Sequence, residues 1–329
     1  ACIEDAGFTL NLKIVLCLEN LCLMENTRIF NPQPRQAPRR CASSWSNRNL
    51  KENKMEMRKI FMLLYLILLV NLNGNCQNKK LKPKEIVKTE FGNILDSLEV
   101  NGSILIYDVK NKIYYSNDFS WAKTGIIPAS TFKIPNSIIA LETGIIKNDS
   151  AIFKWNGEKR RFKKWEEDLT FKKAFQVSCV PCYQEIARKV GVKRMKSYLK
   201  KLNYNGMVFD TLTIDNFWLQ GKSKFSQMQQ IDFLERLYFS KLPISKRTED
   251  VMKDIMQIEE TENYVLSGKS GWGMRNEINN GWLVGYLETN NSVYFFATNV
   301  EKQETNMDEF PVIRLNSTKE AFRKLKLIK

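Results

Sequence analysis

The reading of this chain turns on Pro128-Ala129-Ser130-Thr131-Phe132-Lys133-Ile134-Pro135-Asn136. Ser130 and Lys133 stand three residues apart, so on a helix the hydroxyl and the amine share one face. A serine hydroxyl is a weak nucleophile until a neighbouring base takes its proton. The 329 residues contain no histidine. A Ser-His-Asp triad and a His-ligated zinc site are both excluded, so a lysine or a carboxylate has to act as the base. Lysine serves when burial disfavours its ammonium form, and Phe132, Ile134, Ile138, Ile139 and Leu141 supply apolar surroundings. Ser-x-x-Lys alone is a weak signal in a chain with 51 Lys+Arg, because most matches are exposed helix surface. Its weight comes from the motifs that follow it.

With 43% hydrophobic and 26% charged residues the composition is that of an ordinary globular chain. The net charge of +15 raises nucleic acid or an acidic membrane surface as partners. No dense Lys/Arg run interleaved with aromatics supports either, and a lysine-rich solvated surface is the expectation. Residues 1–56 lack sustained periodicity and hold Pro32, Pro34, Pro38, Arg39 and Arg40. They read as an upstream, non-native leader. Met57-Arg58-Lys59 followed by the apolar run Ile60–Val70 then has the form of a signal peptide over 57–76, too short for a comfortable membrane span. Met57 is the expected start. Cleavage after Gly74-Asn75-Cys76, or lipidation of Cys76, would leave an exported, periplasmic chain over 77–329 with no membrane span of its own. Of the seven cysteines only Cys179 and Cys182 fall in that part. Their Cys-x-x-Cys spacing admits a redox motif. Without a clear βαβ unit around it, two small buried side chains at a helix start are expected, with an oxidisable pair as the alternative.

Pro83–Leu98 predicts an amphipathic helix. Ser103–Asp108 and Lys112–Ser116 predict a hairpin around Val109–Asn111. Ser130–Glu142 predicts the central helix, with a kink or tight early turn at Pro135. Helices are predicted over Pro181–Val190 and Val192–Leu202, on either side of Gly191. Another is predicted over Ser226–Phe239, where Ser226 and Gln229 form a capping box, and others over Ser245–Ile258 and Ser317–Ile328. Strands are predicted over Tyr264–Ser270, Gly281–Glu288 and Ser292–Asn299, the last two joined through Asn290-Asn291. The order predicts an α/β (α+β) fold. Both strand groups form one antiparallel sheet, terminal helices flank it, and the middle helices form a second lobe. A cleft between the lobes is the expected pocket.

Ser178-Cys179-Val180, Tyr204-Asn205-Gly206 and Lys269-Ser270-Gly271-Trp272-Gly273 follow Ser-x-x-Lys in that order. Singly, Ser178 reads as a helix N-cap and Lys269-Ser270-Gly271 as a strand end. Together they match the motif set of β-lactamases and penicillin-binding proteins. With Gln176–Pro181, Asp215–Gly221, Gly281–Gly285 and Val293–Ala297, the chain from about Leu81 onward resembles the class D β-lactamases, or oxacillinases.

The resemblance implies the serine β-lactamase and penicillin-binding transpeptidase fold and the hydrolysis of β-lactam antibiotics. It implies that Ser130 is acylated and that Lys133 is the general base, carrying a carboxyl group made from CO2, with Trp218 holding that group and no metal involved. Ser178 would relay a proton, Lys269 would supply positive charge, and backbone N–H groups of Ser130 and Trp272 would form an oxyanion hole. Val180, Ser270, Gly271 and Arg314 would line the substrate site, Arg314 binding a carboxylate. Trp165 resembles a pocket-lining tryptophan. Phe162 and Met274 resemble the pair that bridges the cleft in carbapenem-hydrolysing members, so carbapenem turnover is a further expectation. Two departures stand out. The family's Tyr-Gly-Asn is here Tyr204-Asn205-Gly206, which moves the position that tolerates positive φ, and Cys179 and Cys182 replace small apolar residues. The rival readings are a β-lactam sensor domain or a penicillin-binding transpeptidase, each acylated without turnover, and a redox protein using the two cysteines.

Overall fold

The computed structural model describes residues 55–65, 82–275, 277–303 and 309–329. The chain divides between Lys79 and Lys80. Before that boundary residues 55–65 are helical and exposed, while Cys76 and the rest of the leader lie outside the described residues. Among the described residues no helix is long and apolar enough to cross a membrane.

Beyond the boundary a seven-stranded sheet runs in the order β1-β3-β2-β9-β8-β7-β6. Its strands are β1 (Lys84–Val87), β2 (Asn101–Asp108), β3 (Ile113–Ser116), β6 (Gln257–Glu260), β7 (Tyr264–Arg275), β8 (Ile278–Thr289) and β9 (Val293–Lys302). A two-stranded ribbon, β4 (Ile152–Phe153) with β5 (Leu169–Thr170), stands apart from it. The helices are α1 (Thr89–Ser97), α2 (Phe119–Lys123), α3 (Lys133–Glu142), α4 (Phe171–Gln176), α5 (Val180–Lys201), α6 (Gln227–Tyr238), α7 (Lys246–Met256) and α8 (Phe310–Lys324).

The sheet lies between two apolar layers, and strand alternation sorts residues between them. Ile104 and Ile106 of β2 join Phe296 of β9 and Leu283 of β8 in a core with Phe91 of α1 and Phe322 of α8. Their neighbours Leu105, Tyr107, Phe295 and Val284 face the other way, into a larger core with α3, α5 and α6. A strand buried on both faces reads as an unbroken apolar run, which is why Ile104-Leu105-Ile106-Tyr107 is central.

Several expectations hold. The β2–β3 and β8–β9 hairpins form, and β2 joins β9, so the two strand groups share one sheet. Ser226 and Gln229 make both bonds of the capping box. Gly191, at φ 73°, breaks α5 into the two predicted helices. Others are corrected. Pro83–Leu98 is not one helix: Lys84–Val87 pairs with β3 in parallel, and the helix begins only after Lys88. The final helix starts at Phe310 rather than Ser317, with Pro311 in its first turn, where a missing N–H costs little. Strand β7 continues through the glycines to Arg275, because β8 pairs with it along that whole length.

Gly206 accounts for the Tyr-Asn-Gly order. It sits at φ 97°, and a Cβ there would lie 2.3 Å from the carbonyl oxygen of Lys224, while the Lys224 N–H donates back to Gly206 O at 2.9 Å. Gly206→Ala is expected to cost about 3 kcal/mol in urea unfolding, since it adds an overlap to an unfavourable backbone conformation. The exposed neighbour Asn205 should tolerate alanine within about 0.5 kcal/mol.

Candidate active site

Ser130 lies in a 3-10 turn, Ala129–Phe132, that leads directly into α3. Pro135 falls in the first turn of α3, so the tight early turn expected there is this 3-10 segment. Ala129 is held at φ 48°, strained for a residue with a Cβ. The turn is clamped from three sides. Trp282 Nε1–H donates to Ile127 O at 2.9 Å, Thr131 Oγ1–H donates to Pro128 O at 2.7 Å, and Gln230 Nε2–H donates to Thr131 Oγ1 at 2.9 Å. Every residue of α3 from Lys133 to Leu141 is buried. A helix buried all round runs through the core, and this one carries Lys133, Asn136 and Ser137 in with it.

Lys133 Nζ donates to Ser130 Oγ at 3.0 Å, and the lysine is 1% exposed. Burial lowers its pKa to about 7. The ring of Tyr183, 4.9 Å from Nζ, favours the cation through its π face, but desolvation is the larger effect. The Tyr183 hydroxyl is held in turn at 2.7 Å from Ser137 Oγ. Near neutral pH a large share of the amine is therefore uncharged. In that state its lone pair can accept the Ser130 proton, and the hydrogen bond runs the other way.

Trp218 is fully buried and stacked on Phe132 at 5.5 Å, and its indole N–H has no hydrogen-bond partner. Ser178 lies between α4 and α5 at φ 60°, and its Oγ likewise has no partner. Phe175, three residues before it, lies 5.4 Å from Lys269 Nζ, while Tyr183 beyond it faces Lys133. Buried polar atoms almost always find partners, so each of these two side chains leaves a donor or acceptor open to a ligand. Cys179 and Cys182 are joined as a disulfide, with Cα atoms 5.5 Å apart on the first turn of α5. The expected burial at a helix start holds, and the pair is oxidised, as the alternative reading allowed.

Lys269 and Arg314 are both buried. Lys269 Nζ donates to Ser270 O at 3.1 Å, and Arg314 Nη1 donates to Gly271 O. Burial, then the charges of Lys133, Arg314 and Lys164, push Lys269 well below its ordinary range, and burial lowers Arg314 to about 10. Two glycines make room. A Cβ at Gly271 would lie 3.2 Å from Pro128 O and from Thr131 Cγ2, so glycine lets β7 lie against the Ser130 turn. A Cβ at Gly281 would meet Arg314 Cδ at 2.6 Å. A cavity of about 460 Å³ beside Lys269, Ser270 and Arg314 extends along Met256 and Ile258.

Contacts thus bring Lys133 to Ser130, the charges of Lys133 and Arg314 to Lys269, and Trp218 to Phe132, while Ser178 lies in the chain between Phe175, which touches Lys269, and Tyr183, which faces Lys133. Trp165 is buried and its indole donates to Val177 O at 3.0 Å, next to Ser178. Phe162 packs edge-on to Trp165 at 4.8 Å, and Val180 is half-buried against the larger core. Trp272 rests beside Phe310 and donates to Asn279 Oδ1 at 3.0 Å. Met274 is 59% exposed. Sequence reading passed over Gln230, Tyr183 and Ser137. The last two carry a faint signal: Tyr183 lies one helical turn after Val180, and Ser137 one turn after Lys133.

Removing the unpartnered Ser178 hydroxyl should stabilise the fold, so Ser178→Ala is expected to raise the unfolding free energy by about 1 kcal/mol, read by urea unfolding. For Lys133→Met the gain should depend on pH. Folding moves the amine from its ordinary 10.5 to about 7, so the folded chain binds fewer protons between those values. The stability of the parent protein then rises with pH across that window. The gain from Lys133→Met should be largest below the lower value and fade toward the upper one in CO2-depleted buffer. A gain independent of pH would contradict this.

The comparisons with known proteins give the family. The family model described as "Penicillin binding protein transpeptidase domain" matches residues 98–313. Over 205 residues the chain is 44% identical to β-lactamase OXA-10 of Pseudomonas aeruginosa, covering 61% of this chain and 77% of that one. The crystal structure of a class D β-lactamase, YbXI from Nostoc, is 44% identical with a TM-score of 0.70, covering 74% of this chain and 100% of that one. That of FUS-1 (OXA-85), a class D β-lactamase from Fusobacterium nucleatum subsp. polymorphum, is 34% identical with a TM-score of 0.69, over 74% of this chain and 100% of that one. With this motif order on this fold, the chain belongs to the class D β-lactamases, serine enzymes built on the penicillin-binding transpeptidase fold.

Proposed function

We propose that Ser130 opens the β-lactam ring and that Lys133 is the base for both halves of the reaction. The observation that carries this reading is the 3.0 Å contact between Ser130 Oγ and a fully buried lysine whose pKa lies near 7. In acylation the neutral amine takes the Ser130 proton as Oγ attacks the lactam carbonyl. The backbone N–H groups of Ser130 and Trp272 hold the developing oxyanion. As the ring C–N bond breaks, Ser178 gives its proton to the nitrogen under the field of Lys269 and is reprotonated by the Lys133 ammonium, which returns to the neutral amine. Arg314 and Ser270 hold the ring carboxylate. In deacylation Lys133 accepts a proton from water as it attacks the ester, and returns it to Ser130 Oγ as the ester C–O bond breaks.

Carboxylation of Lys133 by CO2 fits these residues, because the amine is neutral in part and the Trp218 indole N–H is a buried donor without a partner. When bound, the group would supply an anionic base that stands unprotonated at neutral pH. The apolar run after Met57-Arg58-Lys59 supports export to the periplasm, with lipidation of Cys76 as the anchored form.

The test is turnover of a chromogenic cephalosporin with and without bicarbonate, followed by intact mass. The expected result is turnover that bicarbonate raises, falling about 10³-fold in Lys133→Ala. Trp218→Phe should stay folded and lose the response to bicarbonate. A stable Ser130 adduct without turnover would replace hydrolysis with sensing or transpeptidation.

A further inference from the structure

Residues 159–164 read Lys-Arg-Arg-Phe-Lys-Lys, a basic stretch with no part in the chemistry above. Some of its charge is neutralised locally. Arg160 pairs with Glu158 at 3.5 Å and donates to Asn156 Oδ1 at 2.8 Å, and Lys163 pairs with Glu166 at 3.0 Å. Among the described residues the side chains of Arg161 and Lys164 have no ion pair or hydrogen bond. Both rest on the ring of Phe162, Arg161 Cζ at 5.4 Å and Lys164 Nζ at 5.5 Å. Arg161 alone of the two also reaches Trp272, with Cζ 5.9 Å from the ring.

These rings come from separate segments of the chain. Phe162 packs on Trp165, which is fastened to Val177 beside Ser178. Trp272 follows Gly271, where β7 lies against the Ser130 turn. Arg161 therefore links the segment fastened beside Ser178 to the strand that carries Lys269. A guanidinium can stack on rings while its N–H fork stays available to a carboxylate. The charge of this loop reaches the site, since Lys164 is among the groups that depress Lys269.

We propose that Arg161 is a specificity-determining residue: bridging Phe162 and Trp272, it selects β-lactams whose acyl side chain carries a second negative charge. This rests on the reading of Ser130 as the acylated residue. With the ring carboxylate at Lys269 and Arg314, the acyl side chain would extend toward Phe162 and Trp165, where Arg161 is the one of the two unpaired cations that also reaches Trp272. Substrates with a neutral side chain gain nothing from it.

The test uses the full chain and two penicillins that differ in one charge, benzylpenicillin and its α-carboxylate analogue carbenicillin. The rate of Ser130 acylation is followed by rapid quench and intact mass, so that it can be read whether or not turnover follows. Arg161→Ala is expected to slow acylation by carbenicillin about tenfold and to leave benzylpenicillin within about twofold. Arg161→Lys should keep part of the preference and Lys163→Ala all of it. About 0.5 M NaCl should compress the preference of the parent protein. An equal fall for both penicillins would make Arg161 a structural clamp only, and no change for either would make it a solvated charge. Either result overturns the proposal. Benzylpenicillin with the parent protein reports separately on Ser130: no adduct there removes the nucleophile reading, and this inference with it.

Discussion

The site depends on one unfavourable burial. Lys133 is carried into the core by a helix with no solvent-facing side, and its amine ends against Ser130 Oγ. Lys269 and Arg314 are buried in the same region, and among the described residues none of the three has a carboxylate partner. Buried charges of like sign are costly unless neutralised or paired. Here the cost appears as lowered pKa values for all three groups. A region so poor in negative charge favours an anionic ligand, and favours a neutral lysine beside the serine until one arrives.

The rest of the structure holds that arrangement in place. Two apolar layers on either face of the sheet offset the burial, and the packing tolerances around Ser130 are narrow. Gly271 lets β7 lie on the Ser130 turn, and Gly281 lets the Arg314 side chain pass. Ala129 and Ser178 both sit in the left-handed backbone region, and strain of that kind persists only where surrounding contacts over-determine it. The clamps on the turn from Trp282, Thr131 and Gln230 are such contacts. Unpartnered buried atoms on Ser178 and Trp218 belong to the same pattern. Each leaves a buried polar group unsatisfied, at a cost to stability.

Much of the fold was legible because its signals are local. The capping box of α6, the break at Gly191 and the turn at 290–291 each depend on neighbours in sequence. What was misread depends on distant partners. Lys84–Val87 has a helical pattern, yet becomes a strand because β3 offers an edge to pair with. Gly271-Trp272-Gly273 looks like a strand end, yet β8 extends it. The role of Gly206 is set by the carbonyl of Lys224, eighteen residues away in sequence.

The sequence by itself determined the chemistry on offer. Without histidine the base had to be a lysine or a carboxylate, and Ser-x-x-Lys, Ser178 and Lys269-Ser270-Gly271 named the groups and their order. Only the tertiary structure decided what those groups are. Whether Lys133 is an ordinary cation or a base depends on the removal of water from around its amine, and that comes from side chains contributed by α3, α5 and the Phe217-Trp218 segment. Whether Arg161 is surface charge or a bridge depends on Trp272, which folding brings to it from more than a hundred residues away. Desolvation and contact between separate segments are properties of assembled elements, and no local pattern encodes them.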